Sequence, residues 1–314
     1  MSNVSADRAD RFLIVGAGPS GLGTARALAA AGVPFEVVER HGDVGGIWDM
    51  DAERTPMYET AHFISSKTQS GFVGFPMPAH YPDYPGWRQV REYLRAFARE
   101  FDLRRHVQFR TAAEWIAPAG DAWQVRLQGG EVRRYRGVVL AAGHQWDPLL
   151  PAYPGSFAGE SYHSFCYRSP DELVGKRVLV VGGGNSACDI ACDAAARAER
   201  AFISMRRGYY FLPKHLFGKP TDAFFRSGPH IPARIAQPLL AALLRLVVGD
   251  LTRYGLPRPD HEVLRATARR SPASSRGCCA PRASARTSSS TSSRAATNAS
   301  SSSATSRPTA ARTR

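Results

Sequence analysis

The sequence is short of lysine, of cysteine and of long apolar runs. Only Lys67, Lys176, Lys214 and Lys219 stand among its 41 basic residues. Five cysteines in 314 residues exclude a disulfide scaffold. Cys188 and Cys192 are four apart, not C-x-x-C, which disfavours a thioredoxin-reductase-like dithiol, and they read as packed helix residues. No His, Cys and Asp pattern has zinc spacing, so no metal is expected. The longest apolar run, Leu239 to Val248, is interrupted by Arg245 and reads as a buried or interfacial helix. The N-terminus has no signal-peptide pattern, so a soluble, cytoplasmic protein without a membrane span is expected.

Residues 267–314 lack every acid, every Lys and every large apolar side chain. Ser, Ala, Thr and Arg dominate, as in Thr287 to Ser293 and Ser300 to Ser303. Such a composition cannot offset its ordering entropy, and a disordered tail is expected. It is also what GC-rich codons give in a shifted frame. The tail accounts for much of the net charge of +14: its nine Arg removed, the first 266 residues carry 32 basic against 27 acidic residues. The body is only mildly basic. An Arg-rich tail could touch phosphates non-specifically, but it has no interleaved aromatics for stacking, so no specific nucleic-acid partner is expected.

What is there is two strand–glycine–helix units. The first, Arg11 to Leu22, contains Gly16, Gly18 and Gly21 as G-x-G-x-x-G after a β-branched apolar run. In such a unit the first glycine makes the tight turn, the second lets backbone approach a pyrophosphate, and the third lets the helix close on the strand. Pro19 and Ser20 open the helix, whose N-terminus favours phosphate. A second strand, Phe35 to Glu39, ends in an acidic residue 21 positions after Gly18, where a carboxylate would meet a ribose. This half reads as an adenine-dinucleotide site for FAD or NAD.

The second unit, Lys176 to Ala187, contains Gly182, Gly184 and Ala187, with Asn185 and Ser186 at the helix start. The following strand ends in Met205, Arg206 and Arg207 instead of an acid. Arginine there suits a 2′-phosphate, so NADP is expected over NAD. Between the units, Trp123 to Leu127 and Gly137 to Leu140 read as strands around a Gly129-Gly130 turn, and Gln89 to Phe101 as an amphipathic helix.

The run Phe157 to Tyr167 matches F-x-G-x-x-x-H-x-x-x-Y at Phe157, Gly159, His163 and Tyr167. Together with Val44 to Trp48, Tyr81 to Tyr84, Ala142 to His144 and Gly182 to Ser186, it resembles the flavin-containing monooxygenases, the class B flavoprotein monooxygenases. The resemblance runs from about Arg11 to about Val263. It implies an α/β fold with two Rossmann-like dinucleotide-binding domains, FAD-binding at 11–155 and NADP-binding at 171–266, after a flexible 1–10 and joined by a fingerprint linker at 156–170. Both domains would be incomplete on the C-terminal side, which would leave apolar sheet surface uncovered.

The resemblance also implies the chemistry. NADPH reduces FAD, a C4a-hydroperoxyflavin forms with molecular oxygen, and a soft nucleophile such as an amine or sulfide takes the distal oxygen. Arg40, Gly46 and Trp48 join the FAD-binding residues by the same resemblance. His163 and Tyr167 are read as positioning residues, not acid–base catalysts. Ser65, Ser66 and Lys67 fall where family members contact the flavin region, but Ile64 stands where the animal-type members carry Asn. Tyr167-Arg168 replaces the Trp-Pro of the ester-forming Baeyer–Villiger branch. The alternatives are a truncated, catalytically incompetent product of such a gene and, less favoured, ketone oxygenation or nucleic-acid binding through the tail. For the NADP reading, replacing Arg206 or Arg207 with Ala is expected to raise the KM for NADPH far more than that for NADH. Steady-state kinetics with both nucleotides checks this, and equal effects refute the assignment.

Overall fold

The computed structural model describes residues 6–226, 232–261 and 263. The Ser- and Arg-rich tail and its expected disorder lie outside the described residues.

A strand β1 (Ala6–Val15) leads into helix α1 (Pro19–Ala30) and strand β2 (Phe35–Val38). A short helix α2 (Lys67–Ser70) and the long α3 (Trp87–Glu100) follow. The two-residue β3 (Val107–Gln108) then completes a parallel set, and β4 (Ala113–Ala119), β5 (Ala122–Leu127) and β6 (Val132–Leu140) form a meander. The sheet order is β3-β2-β1-β6-β5-β4. β3, β2, β1 and β6 run parallel, while β6, β5 and β4 alternate.

Both faces of this sheet are covered around the C-terminal half of β1, which is why Phe12 to Val15 reads as an unbroken apolar run. Alternate residues go to opposite faces. Ile14 and Val37 face the core made with Leu22 and Ala25 of α1 and Leu94 and Phe97 of α3. Leu13 and Val38 face the core made with Val125, Leu127 and Tyr135 of the meander. On that side Tyr135 donates its hydroxyl hydrogen to Glu36, which also pairs with Arg8 at 2.8 Å and Arg133 at 3.4 Å. Arg133 is only 5% exposed, so the two nearby carboxylates, Glu36 and Glu131, offset the cost of its burial.

The expected flexible residues 1–10 need correction from Ala6 onward. Ala6 to Arg8 pair with Arg133 to Tyr135, so the strand starts five residues before Arg11. The polar sequence of this extension hid it, because its pairing comes from backbone and its side chains are half-exposed.

The second glycine unit is smaller. β7 (Arg177–Val181), α4 (Asn185–Arg197) and β8 (Arg200–Ser204) form one β-α-β unit with two parallel strands. As expected, its apolar surface is uncovered: Leu179, Val181, Phe202 and Ile203 are exposed in the chain. A hairpin of β9 (His215–Leu216) and β10 (Lys219–Pro220) follows, then α5 (Thr221–Arg226) and α6 (Ala233–Val247). The expected helix at Leu239 to Val248 is the C-terminal part of α6. Leu240 and Leu244 are buried with Val263, while Leu239 and Leu246 are exposed. Among the described residues no helix is long and apolar enough to cross a membrane, and no group of three His, Cys, Asp or Glu could hold a metal ion.

Candidate functional site

The first glycine turn is built by backbones that meet where no side chain fits. Gly16 has φ +104°, and a Cβ there would lie 2.5 Å from the Ala141 carbonyl oxygen. A Cβ on Gly21 would lie 1.8 Å from the Gly16 oxygen. Gly21 therefore serves packing, as its place in the pattern predicts. Gly18 meets Gly46 the same way: a Cβ on Gly46 would lie 3.0 Å from the Gly18 Cα. Gly45 N–H donates to the Ala17 carbonyl at 3.1 Å, which holds the Val44 to Trp48 segment against the turn.

These contacts leave a cavity of about 390 Å³ at the C-terminal ends of β1, β2 and β6. That is the switch point of the parallel strands, where open α/β sheets bind their ligands. Gly16, Gly18, Pro19, Ser20, Glu39, Arg40, Gly46 and Trp48 all line it. Gly18 is the N-cap of α1 and offers no side-chain cap, so the N–H groups that follow Pro19 in the first turn are left for a phosphate. Glu39 is 5% exposed, and its two oxygens accept from Ala17 N at 2.6 Å and His41 N at 2.9 Å. A carboxylate has about four acceptor directions, so capacity for ribose hydroxyls remains.

One wall was marked in the sequence only by the resemblance at Ala142 to His144, with no site role for Trp146. Ala141 to Trp146 runs off the end of β6 and closes the cavity. The Trp146 ring lies 4.0 Å from the Arg40 guanidinium and 5.3 Å from the His41 ring. Burial lowers the pKa of both Arg40 and His41. A lone Trp after a glycine carries no periodic signal, and only the return of β6 beside β1 brings it to the site.

Ser65, Ser66 and Lys67 do not line this cavity. The Ser66 amide donates to Asp222 at 2.7 Å, and the Ser65 and Ser70 hydroxyls meet at 2.6 Å. Lys67 donates to the Ala79 carbonyl at 2.8 Å and to that of Tyr81. These groups fix a loop.

At the second turn Gly182 has φ +138°, and its Cβ would pack 3.5 Å from that of Ala187. Alanine is therefore tolerated in the third position. Gly184 caps α4, again without a side-chain cap, and Asn185 and Ser186 follow as its first residues. Gly183 is crossed by Tyr209, whose ring a Cβ would approach to 2.7 Å. Arg206 and Arg207 are exposed beyond the end of β8, with Arg207 5.4 Å from the Tyr209 ring.

The fingerprint joins the two units. Phe157 is 76% exposed, whereas Tyr167 is fully buried. His163 accepts from Phe165 N at Nδ1, 3.0 Å, and so caps a short turn at Ser164–Cys166. Tyr167 donates to Asp193 at 2.9 Å, and Thr60 donates to the same oxygen at 2.7 Å. Tyr58 donates to Asp189 at 2.7 Å. Burial first, then the neighbouring carboxylate, pushes both Tyr hydroxyls well above their usual range, so both remain donors.

Two glycine turns, each followed by a helix without a side-chain cap, are the pattern of a protein with two dinucleotide-binding units. The chain belongs to the flavin-binding monooxygenase-like family, whose model matches residues 9–245. It is 35% identical over 255 residues to the probable indole-3-pyruvate monooxygenase YUCCA9 of Arabidopsis thaliana, covering 79% of this chain and 59% of that protein. It is 35% identical over 234 residues to the N-oxide-forming dimethylaniline monooxygenase 2 of Rattus norvegicus, covering 69% and 44%. The solved S-allyl-L-cysteine S-oxygenase of Allium sativum superposes with a TM-score of 0.58 at 26% identity, over 66% of this chain and 54% of that one. The chain thus spans about half the length of these relatives.

Glu39→Ala leaves the Ala17 and His41 amides without their carboxylate. Thermal unfolding of the ligand-free protein should show a loss of about 1–3 kcal/mol. An unchanged melting temperature would show that this carboxylate does not hold the turn.

Proposed function

We propose that the chain is an FAD- and NADPH-dependent monooxygenase that oxygenates a soft nucleophile, an amine or a sulfide. The observation that carries this reading is the paired glycine turns, one ending at Glu39 and the other at Arg206 and Arg207. In the first, the α1 N-terminus takes the pyrophosphate and Glu39 a ribose, and Arg40 with Trp146 flanks the adenine half. In the second, the α4 N-terminus takes the pyrophosphate, and Arg206 or Arg207 selects the 2′-phosphate by charge. Bound FAD, reduced by NADPH, supplies the two-electron activation of molecular oxygen that no side chain can perform.

The chain's own task is to bind, align and exclude water. His163 and Tyr167 act through position: one caps the linker turn, the other ties it to α4. Neither is required to move a proton. The soft-nucleophile assignment is supported by the N-oxide-forming and S-oxygenating relatives, whose names state those reactions.

A second reading is favoured by the uncovered β7–β8 surface. In it the chain binds its flavin nucleotide but does not turn over. One experiment separates the two. The purified chain, supplied with FAD, NADPH and oxygen, is given a tertiary amine, a thioether or an aryl 2-oxo acid. NADPH-dependent N-oxide or sulfoxide is the expected product. Turnover of the 2-oxo acid alone would contradict the substrate class. FAD binding with no NADPH oxidation would establish the second reading.

A further inference from the structure

Three hydroxyls from outside the second unit end on two carboxylates one turn apart on α4. Tyr58 reaches Asp189, while Thr60 and Tyr167 share one oxygen of Asp193. Acids at i and i+4 share a face, and that face is usually solvated. Here the face is packed against Met57, Tyr58 and Tyr167, beside Ile190 and Ala194 of the helix itself. The nearest cation on α4, Arg197, pairs elsewhere, with Asp171 at 3.7 Å. The carboxylates are therefore turned toward the first unit and held by neutral donors.

The far end of this contact leads to the first cavity. Thr55 donates to the carbonyl of Ile47 at 2.8 Å, and Ile47 lines the cavity. The Met57 amide donates to Thr55 Oγ1 at 3.3 Å, and Tyr58 and Thr60 follow one and three residues further on. At the near end Ser186, in the first turn of α4, lies beside the Tyr58 hydroxyl. A continuous set of contacts thus runs from the wall of one dinucleotide cavity to the helix N-terminus of the other glycine turn.

We propose that Asp189 and Asp193 are positioning residues that set the second dinucleotide-binding turn against the first and so align the two cofactors for hydride transfer. This rests on the FAD and NADPH reading. In the step concerned, the C–H bond at nicotinamide C4 breaks and its electron pair goes with the hydrogen to flavin N5. NADPH leaves as NADP⁺ and the flavin is reduced by two electrons. Neither aspartate touches the reacting atoms. Each hydrogen bond fixes an angle, and small misplacements are costly for a transfer that needs near-contact geometry.

The test uses the full chain with FAD bound. Asp193→Ala and Asp189→Ala are compared with wild type in anaerobic stopped-flow reduction by NADPH, and in hydrogen exchange of residues 56–61. The limiting reduction rate should fall roughly tenfold or more while the Kd for NADPH moves by less than about twofold. Exchange at 56–61 should rise. Asp193→Asn keeps an acceptor oxygen and should recover much of the rate. Glu199→Ala, exposed on the same unit between α4 and β8, should change neither readout. An unchanged rate, or a raised Kd with an unchanged rate, overturns the proposal. If the alanine variants do not fold, Thr60→Val with Tyr167→Phe removes the donors instead, with the same expectations. If wild type takes up no FAD or is not reduced by NADPH, the functional reading fails. Hydrogen exchange then decides alone, and unchanged protection at 56–61 overturns the alignment role.

Discussion

The first site depends on one steric constraint: the Gly16 and Gly21 backbones and the Ala141 carbonyl occupy space that a single Cβ would fill. This contact seats α1 directly on the ends of β1 and β6. It brings the uncapped helix start to the mouth of the sheet, and the Glu39 carboxylate then ties the turn to the end of β2. The cavity is what remains between these backbones. Its polar groups are fixed by the fold before any ligand arrives, which is the arrangement that binds phosphate with little reorganisation.

The second turn has the same local plan with weaker support. Its glycine contacts are looser, its sheet has two strands, and much of its apolar surface is exposed. What holds it in place is the buried patch around Tyr167 and the two α4 carboxylates. The fingerprint run thus divides its labour. Its first half, with Phe157 exposed, is a connector, and its last residue is an anchor in the core between the units.

The parts of this fold that repeat a local rule were legible in the sequence. The glycine spacings, the apolar runs at Phe12 to Val15 of β1 and Val178 to Val181 of β7, and the periodicity of α3 each state their element in a few adjacent residues. The residues that needed tertiary information were not. Ala6 to Arg8 joins the sheet through backbone pairing with a strand more than 120 residues away. Trp146 reaches the cavity only because β6 lies beside β1. Asp189 and Asp193 look like solvated helix acids until Tyr58, Thr60 and Tyr167 are folded against them. Ser65, Ser66 and Lys67 carry reactive side-chain types, yet they hold a loop.

The central claim is that the cavity at Gly16, Glu39 and Trp146 is an adenine-dinucleotide site. Calorimetric titration of the flavin-free chain with FAD, FMN and ADP tests it most directly. The account predicts that FAD binds, that ADP competes with it for the same site, and that FMN, which lacks the adenosine half, binds at least about a hundredfold more weakly. FMN binding as tightly as FAD, or ADP failing to compete, would contradict it.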